Sequence, residues 1–264
     1  MLAKRVLSAC WMLPLVAIVV WLGGYSLAAG LALVAVLATG EVLELGRPLG
    51  ATPMKAVSMA GSAILLADAV WPNHDLMRWC VLALPLGLLG VEVWHKNRSG
   101  STLSWALGVA APLYVGATLG IFYRLRASDD GLWWLILSLV GTWVADSAAY
   151  AIGVKLGRHK LAPSISPRKT WEGVWGELGG ALLFVVPYSL LVLKVSWWGA
   201  VVLGVLLAAA AVIGDLAESV LKRQVGAKDS SSLIPGHGGM LDRIDSLLFV
   251  VPVVYVVRLL LVGL

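Results

Sequence analysis

Apolar residues in this chain come in long unbroken runs separated by short polar stretches, at residues 6–23, 25–45, 54–71, 76–95, 101–123, 131–154, 173–194, 196–221 and 242–262. A helix needs roughly 20 apolar residues to cross the hydrocarbon core of a bilayer. The pattern therefore predicts an all-α fold: a polytopic transmembrane helical bundle of about nine spans. The runs are continuous instead of alternating with period two, which excludes an outer-membrane barrel. Connections such as Gly23-Gly24 and Pro72-Asn73 carry turn chemistry. Trp21, Trp71, Trp94, Trp133, Trp134, Trp197 and Trp198 stand near span ends, where interfacial anchoring is expected. Pro14, Pro85, Pro112, Pro187 and Pro252 fall inside spans, where neighbouring helices can satisfy the freed carbonyls.

Composition agrees with this reading: 59% of the 264 residues are hydrophobic and 13% charged, with a mean hydropathy of +0.88. Nine spans leave no room for a separate soluble domain, so residues 1–264 read as one integral membrane domain, with N-terminal spans over 1–130 and the chemistry in 131–264. Cys10 and Cys80 lie in apolar stretches without metal spacing and read as small core residues, with no disulfide. Leu7-Ser8-Ala9-Cys10 has the look of a lipoprotein cleavage box, but its apolar run follows the cysteine, so residues 6–22 read as a retained first helix.

The basic residues set an orientation. With a cytoplasmic N-terminus, the inner side holds fourteen: Lys4, Arg5, Arg47, Lys55, Lys96, Arg98, Lys155, Arg158, Lys160, Arg168, Lys169, Lys222, Arg223 and Lys228. The outer side holds Arg78, Arg124, Arg126 and Lys194. That asymmetry favours N-terminus inside. It places the two longest and most polar connections, 155–172 and 222–241, in the cytoplasm.

Charge is scarce, so its clustering is informative. Nine of the 35 charged residues lie between Asp215 and Asp245. A carboxylate inside a span costs on the order of 2.5–3.5 kcal/mol on insertion scales, so Asp146, Asp215, Glu218, Asp242 and Asp245 need a partner, a cation or a water-filled cavity. Asp215, Glu218, Ser219 and Lys222 are spaced i, i+3, i+4 and i+7 on one helix face. Asp242 and Asp245 stand at i and i+3 near the start of the last helix. Three aspartates directed at one space make an oxygen-rich site of the kind Mg²⁺ accepts, with substrate phosphates completing its coordination. Zinc is not expected, for want of a His/Cys cluster, nor is a nucleic-acid partner.

The connection between these helices joins Lys222, Arg223 and Lys228 to the hydroxyls of Ser230 to Ser232 and to Gly236, Gly238 and Gly239, whose amides could approach a ligand. This is the composition of a phosphate cradle, though not a P-loop. His237, between glycines, suits a phosphate, a nucleotide or a loop-shaping hydrogen bond. The other long connection is also basic and hydroxyl-bearing. Ser166, Arg168, Lys169 and Thr170 fit either a nucleoside triphosphate or anionic lipid headgroups. Glu41 and Glu44 share an i, i+3 face and read as structural; Asp68 and Glu92, near span ends, read as interfacial and solvated.

Ser219, Lys222, Arg223, Lys228, Asp229, Ser231, Leu233-Ile234-Pro235, His237-Gly238-Gly239, Asp242-Arg243 and Asp245 together resemble the signature of the phosphatidate cytidylyltransferases. Asp146 to Tyr150, Ile165 to Gly173 and Gly214 to Glu218 resemble the same family, so the likeness spans about residues 142–245. Two departures occur. Gly153-Val154-Lys155 stands where the family has a Gly-Arg pair, and Arg168 stands where Lys is usual, which keeps the charge but changes hydrogen-bond geometry.

The resemblance implies an enzyme that joins CTP and phosphatidic acid to give CDP-diacylglycerol and pyrophosphate. It implies Mg²⁺ and a second cation, contact with membrane lipids, a homodimer, and a site facing the cytoplasm in a bacterial plasma membrane. It assigns Asp215, Asp242 and Asp245 to metal, Lys222, Arg223 and Lys228 to CTP or lipid phosphates, and Ser219 to support. Asp229, His237, Ser166, Arg168, Lys169, Thr170 and Asp146 join the substrate-binding set. Two rivals are kept: another CTP-dependent membrane lipid transferase or kinase, and an ion-coupled secondary transporter, which would place its carboxylates nearer mid-membrane.

Overall fold

The computed structural model describes residues 2–94, 100–234 and 236–262, with side chains from residue 10 onward. Lys96, Arg98 and Pro235, and the side chains of Lys4 and Arg5, lie outside the described residues. Helices occupy α1 (Leu2–Leu22), α2 (Gly24–Gly46), α3 (Lys55–Val70), α4 (Leu76–Trp94), α5 (Ser101–Pro112) and α6 (Thr118–Ala127). A π turn, Leu113–Ala117, joins the last two into one rod. Then come α7 (Gly131–Leu156), β1 (Lys160–Ala162), β2 (Ser166–Thr170), α8 (Trp171–Leu191), α9 (Trp197–Gln224), α10 (Leu241–Ile244) and α11 (Leu247–Val262). Among the described residues, seven stretches are long and apolar enough to cross a membrane: 24–49, 76–94, 101–127, 131–156, 171–191, 197–224 and 241–262. The fold is thus a polytopic helical membrane fold. Of the other two predicted spans, α3 has 16 residues, short of the roughly 20 a crossing takes, and the described apolar part of α1 runs only from Cys10 to Leu22.

Two sequence expectations need amendment. The connection 155–172 is not irregular: β1 and β2 form an antiparallel hairpin pairing Lys160 with Thr170 and Ala162 with Ser166. Its turn closes through the Ile165 amide on the Ala162 carbonyl (3.1 Å), with Pro163 where a β-turn favours it. The last helix is not continuous either: it breaks at Asp245 and Ser246, and the Ser246 carbonyl accepts the first bonds of α11, from Phe249 and Val250.

The chain divides into two compact units, Met1–Ala127 with Leu221–Ile244, and Ser128–Val220 with Asp245–Leu264. In the first, Leu65, Cys80, Leu84 and Leu88 make a core cluster against which Trp105, Val109 and Ala117 pack. Asp68 is buried, not solvated: Arg124 donates to it at 2.6 Å and the Met77 amide, at the start of α4, at 2.9 Å. Arg126 donates to the Val20 and Trp21 carbonyls (2.8 and 2.9 Å), capping the end of α1. In the second unit α7 and α8 lie in close contact because α8 presents small residues. A Cβ on Gly176 would stand 2.7 Å from the Ile152 Cβ, and one on Gly180 2.5 Å from the Ala148 Cβ. Trp134 is 2% exposed and belongs to this core, so it is not an interfacial anchor. Its neighbour Trp133 is exposed.

Candidate active site

The first unit holds the connection 225–240. Helix α9 ends in a Schellman motif: the Gly226 amide donates to the Arg223 carbonyl (3.1 Å) and the Ala227 amide to the Lys222 carbonyl (3.0 Å), with Gly226 at φ +68°. Arg223 donates to the Ala227 carbonyl, so its guanidinium braces this cap. Lys228 and Asp229 follow, both exposed. His237 sits in a tight turn in which its amide donates to the Ile234 carbonyl and the Ile234 amide to the Gly238 carbonyl (2.9 and 2.8 Å).

Asp242 gathers the two ends of this connection. Its Oδ1 accepts from Lys222 Nζ at 2.7 Å, and both side chains are more than nine-tenths buried. Its Oδ2 accepts from the Ser230 amide (2.8 Å), the Ser230 hydroxyl (2.8 Å) and the Gly239 amide (2.7 Å). Glu41, from the end of α2, does the same from the other side. Its Oε1 accepts from the Ser231 hydroxyl and the Met240 amide (2.7 and 2.9 Å), and its Oε2 from the Ser230 hydroxyl and the Leu241 amide (3.0 and 2.7 Å). The predicted cradle is therefore turned inward: the Gly239 amide and the Ser230 and Ser231 hydroxyls serve these carboxylates. Glycine is required because a Cβ on Gly239 would stand 2.1 Å from Ser230 Oγ and 2.6 Å from Glu41 Oε1. Glu44, one turn on, pairs at the surface with Arg47 (3.0 Å) and with Lys55.

The second unit holds the rest. Asp215 of α9 accepts from Ser219 Oγ at 3.3 Å and pairs with Lys169 Nζ at 2.8 Å. Lys169 reaches it from β2, in which Pro167 and Arg168 are exposed, Lys169 half-buried and Thr170 buried. Thr170, next in the strand, is buried and caps α8, its hydroxyl accepting from the Gly173 amide at 3.1 Å. Glu172, in the first turn of α8, accepts from His159 Nδ1 (2.7 Å) and from the Arg158 and His159 amides, which ties the hairpin to the helix. Ser166 is half-buried at the start of β2.

Asp146 on α7 lies within electrostatic reach of Asp245, Asp215 and Lys169. Glu177 on α8 lies within electrostatic reach of Asp146, Lys169 and Asp215, is 4% exposed, and its Oε1 has no hydrogen-bond partner among the described residues. Sequence reasoning missed Glu177, although a carboxylate two turns into a spanning helix carries the same signal that singled out Asp146. Glu41, read from the sequence as structural, makes structural hydrogen bonds, but to the connection 225–240 and not to its helix-face neighbour Glu44. Of the three aspartates assigned to metal, Asp215 and Asp245 belong to this unit and Asp242 to the other. Among the described residues no group of three His, Cys, Asp or Glu side chains is close enough to ligate one ion as it stands.

The profile of the cytidylyltransferase family matches residues 3–261. A phosphatidate cytidylyltransferase of Staphylococcus haemolyticus is 33% identical over 262 residues, covering 94% of this chain and 95% of the relative. Those of Staphylococcus saprophyticus and Haemophilus influenzae are 37% and 40% identical over 185 and 187 residues, covering 69% and 67% of this chain and 69% and 65% of the relatives. The match runs through the N-terminal helices as well as the polar connections, and the chain belongs to the cytidylyltransferase family.

Proposed function

We propose that this protein is a phosphatidate cytidylyltransferase, converting CTP and phosphatidic acid to CDP-diacylglycerol and pyrophosphate. The observation that carries the reading is the family match over residues 3–261, which includes both lysine–aspartate pairs, Lys222 with Asp242 and Lys169 with Asp215. A phosphate oxygen of phosphatidic acid attacks the α-phosphorus of CTP. The bond to the bridging oxygen breaks, and pyrophosphate leaves with the electron pair. The nucleophile is already an anion, so no strong base is required; the chain's task is to orient two anions and to offset charge on the transferring and leaving oxygens. Lys169, Lys222, Arg168 and Lys228 are the cations for this, with His237 and Asp229 beside Lys228 on the loop and Ser166 on the hairpin. Arg223 and Thr170 support the site through the caps they make.

Mg²⁺ enters this reading on the chemistry of the donors: Asp215 and Asp245 in one unit and Asp242 in the other carry the carboxylate oxygens this ion prefers, Ser219 bonds Asp215, and Glu177 Oε1 has no hydrogen-bond partner among the described residues. When bound, Mg²⁺ would neutralise phosphate charge at the reacting centre; a second cation is part of the proposal. The fourteen-to-four asymmetry of basic residues supports a cytoplasmic N-terminus and a site on the cytoplasmic face of a bacterial plasma membrane. Nine spans and a homodimer complete the reading, on the strength of the apolar pattern and the family resemblance.

The decisive experiment supplies purified protein in detergent with Mg²⁺, phosphatidic acid and CTP labelled at the α- or the γ-phosphate. The α-label is expected in lipid and the γ-label in pyrophosphate. Label from the γ-position in lipid would establish a kinase, and label in neither would overturn the proposal.

A further inference from the structure

We propose that Glu41, in the N-terminal helices, is a positioning residue for the nucleotide: it holds the connection 225–240 in the shape that keeps Asp242 on Lys222 and presents the exposed Lys228 to the CTP phosphates. The nucleotide's identity rests on the cytidylyltransferase reading; the holding role rests on geometry alone.

Glu41 is 7% exposed, and its charge is answered by four N–H and O–H donors, from Ser230, Ser231, Met240 and Leu241, instead of by a cation. All four donors lie about 190–200 residues away in sequence. An ionised carboxylate is the side chain suited to this, since each oxygen accepts two bonds and neither donates. Glutamine would turn one end into a donor facing donors. Such a carboxylate near the end of a spanning helix is costly unless fully satisfied, and neighbouring Glu44 shows the ordinary alternative, a surface pair with Lys55 and Arg47.

What Glu41 holds is directly joined to the site. The Met240 and Leu241 amides open α10, whose second residue is Asp242. Ser230 Oγ lies 3.0 Å from Glu41 Oε2 and 2.8 Å from Asp242 Oδ2, so one hydroxyl proton is shared between two carboxylates. The orientation of Asp242, and of the Lys222 ammonium bonded to it, is therefore set partly by Glu41. Without Glu41, the buried Leu241 amide and the half-buried Met240 amide lose their acceptor and the Ser230 hydroxyl turns wholly to Asp242.

The test uses full-length protein in detergent and compares Glu41→Gln, Glu41→Ala, Ser231→Ala and, as surface control, Glu44→Gln. Amide exchange over residues 239–241 is read by mass spectrometry, and KM is measured separately for CTP and for phosphatidic acid. Losing buried hydrogen bonds of this kind costs about tenfold in an equilibrium constant. Glu41→Gln is expected to speed exchange at 239–241 about tenfold and to raise the CTP KM about tenfold, with the phosphatidic acid KM within about twofold and the melting temperature within a few degrees. Ser231→Ala, which removes the hydroxyl's bonds to Glu41 and to the Leu233 amide and keeps the test open if Glu41→Ala does not fold, should shift both readouts about threefold in the same direction. Glu44→Gln should move neither. Unchanged exchange in Glu41→Gln and Ser231→Ala, or equal rises in both KM values, would overturn the proposal. If the wild type transfers no cytidylyl group, the nucleotide assignment fails, and loop exchange in Glu41→Gln still decides whether Glu41 holds the loop.

Discussion

The two units treat the carboxylates of the candidate site in opposite ways. In the first, Glu41 and Asp242 draw on seven donors, amides, hydroxyls and one lysine, with the Ser230 hydroxyl shared between them, and every oxygen is used. In the second, Asp215 bonds one lysine and one serine, the exposed Asp146 lies within electrostatic reach of two further aspartates and of Lys169, and Glu177 Oε1 has no hydrogen-bond partner among the described residues. A fully satisfied carboxylate fixes the backbone around it, because moving it would strand several donors at once. An under-satisfied group of carboxylates is instead poised for a positive charge from outside the chain. The first unit thus reads as the rigid frame of the nucleotide loop, and the second as the place where the chain's own donors run short.

The largest effects should separate frame from cluster. Asp215→Asn and Asp242→Asn are each expected to lower turnover on the order of 10³-fold, since each removes a charge beside a lysine needed for phosphate. They should differ in the loop: exchange at residues 230 and 239 rises in Asp242→Asn and stays as in the wild type in Asp215→Asn. Equal exchange in the two variants would break the distinction. Gly239→Ala comes next, at about 10²-fold in turnover, because its methyl group would fall 2.1 Å from Ser230 Oγ and force the clamp open. Its loop exchange should match that of Asp242→Asn.

The helices were legible in the sequence because lipid demands long apolar runs, and the chemistry because charge is rare within them. What stayed hidden depended on partners far along the chain. Asp68 looks solvated until Arg124, 56 residues later, closes on it. Glu41 looks like half of a helix-face pair until Ser230, Ser231, Met240 and Leu241 arrive. Trp134 near a helix start carries the same signal whether its ring meets headgroups or protein. The β-hairpin was missed because its strands are short, polar and contain Pro167, with no alternating apolar face. The break at Asp245 and Ser246 has neither glycine nor proline to announce it. Glu177, by contrast, was legible and overlooked: it is a lone carboxylate in an apolar helix.

Glu177 also gives the next prediction in size. A buried oxygen without a donor costs on the order of 1–3 kcal/mol. At a pH where the Glu177 carboxyl is ionised, Glu177→Gln removes one negative charge from among Asp146 and Asp215, so the variant should melt a few degrees higher than the wild type without divalent ions. In a Mg²⁺ titration its gain in melting temperature should be smaller than the wild type's. A variant that melts lower and gains as much would mean that the second unit is as well satisfied as the first.

The smallest effect tests the joint between hairpin and helix. Thr170 carries Lys169 to Asp215 only because its own hydroxyl stops the strand and starts α8 by accepting from the Gly173 amide. Removing such a cap costs about 1 kcal/mol. Thr170→Ala should therefore lower the melting temperature by a few degrees and turnover by about threefold, as Lys169 spends less time on Asp215. Thr170→Ser keeps the accepting oxygen and should recover both values. If Thr170 instead met a phosphate directly, Thr170→Ala would raise a substrate KM at unchanged melting temperature. The two measurements together distinguish a residue that holds the lysine in place from one that touches the ligand.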